Sequence, residues 1–408
     1  MKKDYTTSNN KIVLSLKTIK SICNALGNPQ DTFKAIHITG TNGKGSVGAY
    51  IESILIDNGL TVGRYVSPAI VDVYETITIN RKKISEQDYL ICKQRVLSVS
   101  ENLHKQGYAM PSPFELDTAI AYTYLANRCD VAIIEVGMGG RLDATNVLSN
   151  KILSVITSIS MDHTEYLGDT IQQIALEKCG IVCNDVPTVT IEQSSQAMEV
   201  IKTVCEQKHS KLIVANPKDI SNVKLLKDYT LNFNYGEYVD LNSKMIGDYQ
   251  TDNAIISIKA CETLNVPKDT IVKGIADAVW KYRFEIVSTN PIIVLDGCHN
   301  ADASVRLRRS IETYFKGKKL SYIMGVYKDK DYPTMAKSLC GMADTVYTIP
   351  TLGSRSLSAT TLADTVKQYN HNVIACNDIN TALNLSKHDG SEVIIVFGSL
   401  STLSKVQY

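Results

Sequence analysis

The stretch from Ala35 to Asp57, AIHITGTNGKGSVGAYIESILID, constrains the fold more than any other part of the chain. A short apolar run, Ala35 to Thr39, enters a turn holding Gly40, Gly43 and Gly45, and from Ser46 apolar residues recur at helical spacing through Val47, Tyr50, Ile51, Ile54 and Leu55. The pattern predicts strand, glycine loop and helix. Glycines let successive backbone N–H groups converge on a phosphate, and the helix N-terminus adds partial positive charge. The Lys44 amine can neutralise the anion, and a hydroxyl at Thr41 or Ser46 can reach magnesium. The loop therefore reads as an ATP site, with an ordinary glycine-rich turn as the alternative. Its spacing departs from the standard phosphate-loop pattern: only Thr41 and Asn42 separate Gly40 from Gly43, and Gly45 stands between Lys44 and Ser46.

At 408 residues there is room for two or three domains with ample core. Lys and Arg number 43 against 42 Asp and Glu, so neither a basic field for nucleic acid nor an acidic tail is present. The 10 cysteines are scattered without a CxxC pair, which argues against a zinc site or a disulfide framework. MKKDYTTSNNK is not followed by an apolar segment, and no run of 18 apolar residues occurs. These features predict a cytoplasmic, reduced protein with small-molecule partners, without nucleic acid or membrane.

Ile12–Leu26 is helix-periodic and stops at Gly27. Strands are expected at Thr61–Val66, Asp130–Val136, Ile152–Ile159 and Pro187–Ile191, and SPAIVDVYETITIN alternates at Tyr74, Thr76 and Thr78. Helices are expected at Ser85–His104, with Ser85 as cap, at Phe114–Ala126 and at Thr170–Cys179. Strands alternating with helices indicate a parallel sheet with its chemistry at the strand carboxyl ends. Lys224–Lys244 changes to short antiparallel segments, Asp252–Leu264 is helical, and βα alternation resumes at PIIVLDGCHN. The predicted fold is α/β: an N-terminal phosphate-loop-type, mostly parallel sheet flanked by helices with a small antiparallel extension, residues 1–287, and a smaller Rossmann-like α/β domain, residues 288–408.

Other motifs sit at strand ends. EVGMGGRLDATN places Glu135 there, and a carboxylate buried without a cation is costly, which favours a metal ligand. It is not a dinucleotide fingerprint, because the third glycine position is Leu142 and no acidic residue ends the next strand. MDH (Met161–His163) follows another strand, and Lys178 lies on the following helix; either residue could equally be structural. DGCHN, Asp296–Asn300, repeats the strand-end logic, with an Asx-type turn as its plain alternative. KDKD at Lys328–Asp331, SRS at Ser354–Ser356 and GSLS at Gly398–Ser401 are individually weak signals.

In order, HITGTNGKGS, VSPAI, Phe114–Glu115, EVGMGGRLDATN, MDHTEYLG, EKCGI, GDYQTDNA, LDGCHN and GSLS resemble folylpolyglutamate synthase and dihydrofolate synthase of the Mur ligase superfamily, over essentially the whole chain. The resemblance implies an ATP-dependent ligase that activates a carboxylate as an acyl phosphate and joins it to L-glutamate, the acid being dihydropteroate, a tetrahydrofolate or both. It implies that Gly40, Thr41, Asn42, Gly43, Lys44, Gly45 and Ser46 cradle the phosphates. One Mg²⁺ would be held by Ser67 and Glu135, with the Ser46 hydroxyl a further metal candidate; a second would lie between Glu135, His163 and a carbamylated Lys178, a hard oxygen ligand in place of a repelling cation. Asn253 and Arg283 would reach ATP, Asp296 and His299 would make nucleotide and catalytic contacts, Phe114 would meet the acid, Asp143 would either contact its pterin or simply cap its own loop, and Ser354 and Arg355 would meet the glutamate. The active site would lie between the domains of a monomer, whose closure excludes water. Departures from the family pattern stand at Ala69, Thr76, Tyr249 and Tyr282, near segments that shape acid or adenine binding. They leave open a ligase of the same mechanism acting on a non-folate acid; a phosphate-binding switch without ligase chemistry would need neither Lys178 nor His163.

Overall fold

Lys34–Thr39 forms β1, and five of its six residues are buried, as expected of a strand covered on both faces. The structure, a computed structural model, describes residues 15–351, 353 and 355–406. The chain divides into two compact units: one comprises residues up to Pro217 with Ile255–Gly274, the other Lys218–Ala254 with the chain from Ile275 onward.

In the first unit β1 is joined by β2 (Val62–Tyr65), β3 (Ile77–Ile79), β4 (Lys82–Lys83), β5 (Val131–Glu135), β6 (Lys151–Ile156), β7 (Thr188–Ile191) and β8 (Leu212–Ala215). The sheet order is β4-β3-β2-β5-β1-β6-β7-β8. β2, β5, β1, β6, β7 and β8 run parallel, and β3 and β4 form antiparallel pairings at one edge. Helices α1 (Lys17–Ala25), α2 (Lys44–Asp57), α3 (Glu86–Lys105), α4 (Pro113–Leu125), α5 (Thr164–Leu167), α6 (Ile171–Cys179) and α7 (Ser195–Gln207) connect the strands. The expected Ser85 cap forms, accepting from Asp88 N, and capping boxes that the sequence reading did not name start α4 at Ser112 and α6 at Thr170. One apolar core gathers Ile19, Ile22, Val96, Ile120 and Tyr122, and another Ile156, Ile174, Met198 and Ile201. α2 is buried nearly all round, from Gly45 to Leu55, which explains why it lacks a polar face. Among the described residues, no helix is long and apolar enough to cross a membrane.

α8 (Gln250–Thr263) and α9 (Lys268–Asp277) follow. In the second unit β9 (Ile220–Leu225), β10 (Leu231–Tyr235) and β11 (Tyr238–Ser243) form an antiparallel meander. A six-stranded sheet takes β12 (Glu285–Thr289), β13 (Ile292–Asp296), β14 (Leu320–Met324), β15 (Thr345–Thr348), β16 (Val373–Ala375) and β17 (Val393–Phe397) in the order β12-β13-β17-β14-β15-β16. It is parallel except for β12, which forms a hairpin with β13. Helices α10 (Ala301–Tyr314), α11 (Tyr332–Leu339), α12 (Ala359–Val366), α13 (Ile379–His388) and α14 (Leu400–Leu403) connect this sheet.

The expected elements form with ends shifted by a few residues; residues 12–14 of the expected first helix lie outside the described residues. The alternation at Tyr74–Thr78 is corrected: Val73–Thr76 is a 3-10 turn capped by Asp72, which accepts from Glu75 N, and only Ile77–Ile79 is strand. A local side-chain acceptor outcompetes a weak period-2 pattern there. α7, β8, α9 and β12 had no expectation; β8 has only a four-residue apolar run to mark it.

One buried ion pair braces the start of α2. Arg64 Nη1 donates to Glu52 Oε2 at 3.0 Å and Nη2 to the Gly45 carbonyl at 2.5 Å, with both side chains about 5% exposed or less. Glu52→Ala strands the guanidinium and is expected to cost about 3–5 kcal/mol in denaturant unfolding. The double replacement Glu52→Leu/Arg64→Met should recover most of that loss; no recovery would mean the pair contributes more than its mutual compensation.

Candidate active site

The glycine loop takes its shape from the end of β6. Gly40 has φ +147°, and a Cβ there would lie 1.8 Å from Thr157 Oγ1. The Thr157 hydroxyl donates to Asn42 O at 2.7 Å, Thr41 N donates to Ser158 O at 2.7 Å, and Ser160 N donates to Thr41 Oγ1 at 3.0 Å. Gly43, at φ +92°, caps α2 without a side-chain bond, so the helix presents its first turn as an anion site.

Two amines meet at this loop. Lys44 Nζ donates to Gly40 O at 3.1 Å and Thr41 O at 3.2 Å, and Lys178 Nζ, from the last turn of α6, donates to the same Gly40 O at 2.8 Å. Lys178 is 4% exposed; burial first, and the Lys44 charge second, lower its pKa to about 7 against the pull of Asp162 and Asp143. One pocket is lined by the glycine loop, by Val136–Gly139 after β5, and by Asp162, His163 and Lys178. His163 holds a left-handed backbone at φ +50°, and its N–H donates to Asp162 Oδ1 at 2.9 Å.

Glu135, 8% exposed, ends β5 immediately before the segment that lines the pocket, Ser46 is buried, and Ser67 precedes a loop drawn in by Glu75, which accepts from Val71 N at 2.7 Å. Among the described residues, no group of three His, Cys, Asp or Glu stands together for a metal. The donors near the pocket are hard oxygens and one imidazole, a set that suits Mg²⁺, which keeps several waters and takes few protein ligands.

Phe114, in the first turn of α4, packs over Gly137, where a Cβ would come within 2.5 Å of its ring. Asp143 is 3% exposed and serves its own loop, accepting from Met138 N at 2.8 Å, Thr145 N at 3.0 Å and Thr145 Oγ1 at 2.5 Å. The two residues thus meet at Gly137–Met138, and Thr39 Oγ1 ties the same segment to β1 through Gly139 O at 2.6 Å.

In the second unit Asp296 ends β13, 3% exposed, and accepts from Tyr249 Oη at 2.5 Å, Phe284 N at 2.8 Å and Cys298 N at 2.8 Å. The last bond is the Asx turn, and Asn300 caps α10 by accepting from Ala303 N, so the plain reading of DGCHN also holds. Burial raises the Asp296 pKa against its donors and Arg283. Arg283 Nη1 lies 2.8 Å from where a Gly297 Cβ would be, and His299 Nδ1 is 2.7 Å from Gly297 O. Asn253 is buried on α8 and donates to Gln250 Oε1 at 2.9 Å. The three weak motifs converge: Arg355 stacks 4.4 Å over Tyr327 and pairs with Asp329 at 3.3 Å, and Tyr327 Oη bonds Ser401 Oγ at 2.6 Å. Ser354 lies outside the described residues.

Sequence reasoning passed over Asp162, Thr157 and Tyr327. Asp162 stood in the quoted MDH triplet, whereas nothing in sequence joins Thr157 to Gly40 or Tyr327 to Arg355.

A phosphate-type glycine loop on a mostly parallel sheet, followed by a second, mostly parallel α/β unit, places the chain among α/β proteins built around a phosphate-binding loop. Residues 38–261 match the Mur ligase middle domain and residues 282–400 the Mur ligase glutamate ligase domain. A dihydrofolate synthase/folylpolyglutamate synthase of Bacillus subtilis is 31% identical over 96% of this chain and 94% of the relative. The Mycobacterium tuberculosis folylpolyglutamate synthase complexed with ADP and AMPPCP superposes with a TM-score of 0.89 at 27% identity, covering 96% of this chain and 94% of that one. Escherichia coli FolC in complex with DHPP and ADP gives 0.84 at 27% identity, covering 97% and 93%. The chain belongs to the Mur ligase family, within its folylpolyglutamate synthase/dihydrofolate synthase group.

Gly40→Ala is expected to abolish nucleotide binding, measured by calorimetry, with circular dichroism unchanged; wild-type affinity would show that the loop tolerates displacement from Thr157. Lys178 titrates at about 7 in the folded protein and near ~10.4 when unfolded, so between these values the unfolded state binds more protons and stability rises with pH. In CO₂-free, metal-free buffer that rise should flatten in Lys178→Met, read by urea unfolding from pH 6.5 to 10.

Proposed function

We propose that this chain is an ATP-dependent ligase joining L-glutamate to dihydropteroate, to a tetrahydrofolate or to both, acting as a monomer in the cytoplasm. The observation that carries this reading is the pocket where the Lys44 and Lys178 amines share the Gly40 carbonyl beside Asp162 and His163. A phosphate switch has no use for a second, buried lysine at its loop.

The acid's carboxylate oxygen attacks the γ-phosphorus of ATP, the bond to the β-phosphate oxygen breaks, and ADP leaves an acyl phosphate. The glutamate amine nitrogen then attacks the acyl carbon, phosphate departs, and the nitrogen loses a proton. Gly40–Ser46 hold the phosphates, and Lys44 turns from its own carbonyls to the transferring group, where preorganised positive charge lowers the barrier. Arg283, Asp296, His299 and Asn253 are assigned to the nucleotide, and Phe114 and Asp143 to the acid. The cluster of Arg355, with Ser354 beside it in sequence, receives glutamate carboxylates. Mg²⁺ would be held at two sites by Ser46, Ser67, Glu135, His163 and Lys178, and supplies neutralisation of phosphate charge. Lys178 fits this role as a carbamate: its neutral amine adds to CO₂, forming an N–C bond and releasing one proton, which replaces a buried cation by an oxygen ligand.

Phosphate release with Mg-ATP and L-glutamate should require dihydropteroate or a tetrahydrofolate and yield a glutamyl adduct by mass. Release stimulated by neither would refute the acid assignment and direct attention to Ala69, Thr76 and Tyr249. Lys44→Ala should lose at least ~10³ of turnover, and Lys178→Ala should lose activity that short-chain carboxylates partly restore.

A further inference from the structure

His37, in the middle of β1, is wholly buried and plays no part in the reading above. Its Nε2 lies 2.9 Å from Thr145 Oγ1. The Thr145 hydroxyl has one proton, and it goes to Asp143 Oδ1 at 2.5 Å. Its oxygen therefore meets His37 as acceptor, which requires the Nε2–H tautomer. Nδ1 is then a bare lone pair, buried with no hydrogen-bond partner among the described residues. Burial, and then the Lys151 charge, hold the ring well below the usual imidazole range, so it is neutral. Leaving a buried nitrogen unpaired is costly, and the strand neighbours Ile36 and Ile38 are apolar, so the ring's one made bond is what sets this position apart from them.

We propose that His37 is a positioning residue that, through Thr145, fixes the Asp143 carboxylate as an acceptor for the acid substrate. The inference rests on the reading of Asp143 as the contact to the acid. Met138 N, Thr145 N and Thr145 Oγ1 all donate to the Asp143 carboxylate, and the Gly137 backbone adds a further bond, so its orientation is set by donors of its own loop. The chain runs from the strand that bears the phosphate loop to the loop that meets the acid, and is anchored at its far side by Tyr122 Oη, which donates to Thr145 O at 2.8 Å.

The test compares His37→Leu, His37→Gln, Thr145→Val and Asp143→Asn by steady-state kinetics, nucleotide calorimetry and thermal unfolding. His37→Leu should raise KM for the acid roughly fivefold to tenfold, the size of one lost hydrogen bond, with nucleotide affinity within twofold of wild type. His37→Gln, which keeps an N–H at similar reach, should restore most of it, and His37→Leu should add nothing in a Thr145→Val background. An unchanged acid KM in His37→Leu beside a raised one in Asp143→Asn overturns the inference. So does a parallel loss of nucleotide affinity and melting temperature, which marks a purely structural ring. An unchanged acid KM in Asp143→Asn overturns the Asp143 reading itself, and the relay with it.

Discussion

The pocket end of the first sheet depends on the missing side chain of Gly40. Thr157 Oγ1 stands where a Cβ would be, and from there it donates to Asn42 O, so β6 moulds the loop that leaves β1. The same close approach frees the Gly40 carbonyl to accept two lysine amines. Loop shape, amine placement and strand order are thus one constraint, because β1 and β6 are adjacent only in this sheet.

Electrostatics follow from that packing. Lys178 shares the Gly40 carbonyl with Lys44, and burial first, then the Lys44 charge, lower its pKa. Asp162, which lines the same pocket, and Asp143 pull the other way, in favour of the charged amine. In the second unit the burial of Asp296 is met by three donors and the charge of Arg283, an arrangement that keeps a strand-end carboxylate oriented.

Much of this was legible in sequence because it is local. Glycines at 40, 43 and 45, the serine cap of α3, and apolar runs bounded by turns determine their own segments within a few residues. The reading failed where a short-range competitor acted, as at Asp72 and Glu75, or where an apolar run was too short to register, as at β8. Among the residues singled out, Lys44 and His163 stood in quoted motifs, Asp162 stood in the same triplet without a role, and the loop-capping alternative for Asp143 acquired its partners, Met138 and Thr145, only with the structure.

By itself the sequence determined the α/β succession, the glycine loop with its lysine, and the family to which the chain belongs. Only the tertiary structure decided that Lys178 reaches Gly40 over 138 positions, that His37 reaches Thr145 over 108, and that Tyr327 gathers Arg355 and Ser401. Those contacts depend on which strands lie side by side and how deeply each group is buried. No spacing along the chain encodes either, because the cost of burying a charge or a ring nitrogen is set by what the folded sheet brings next to it.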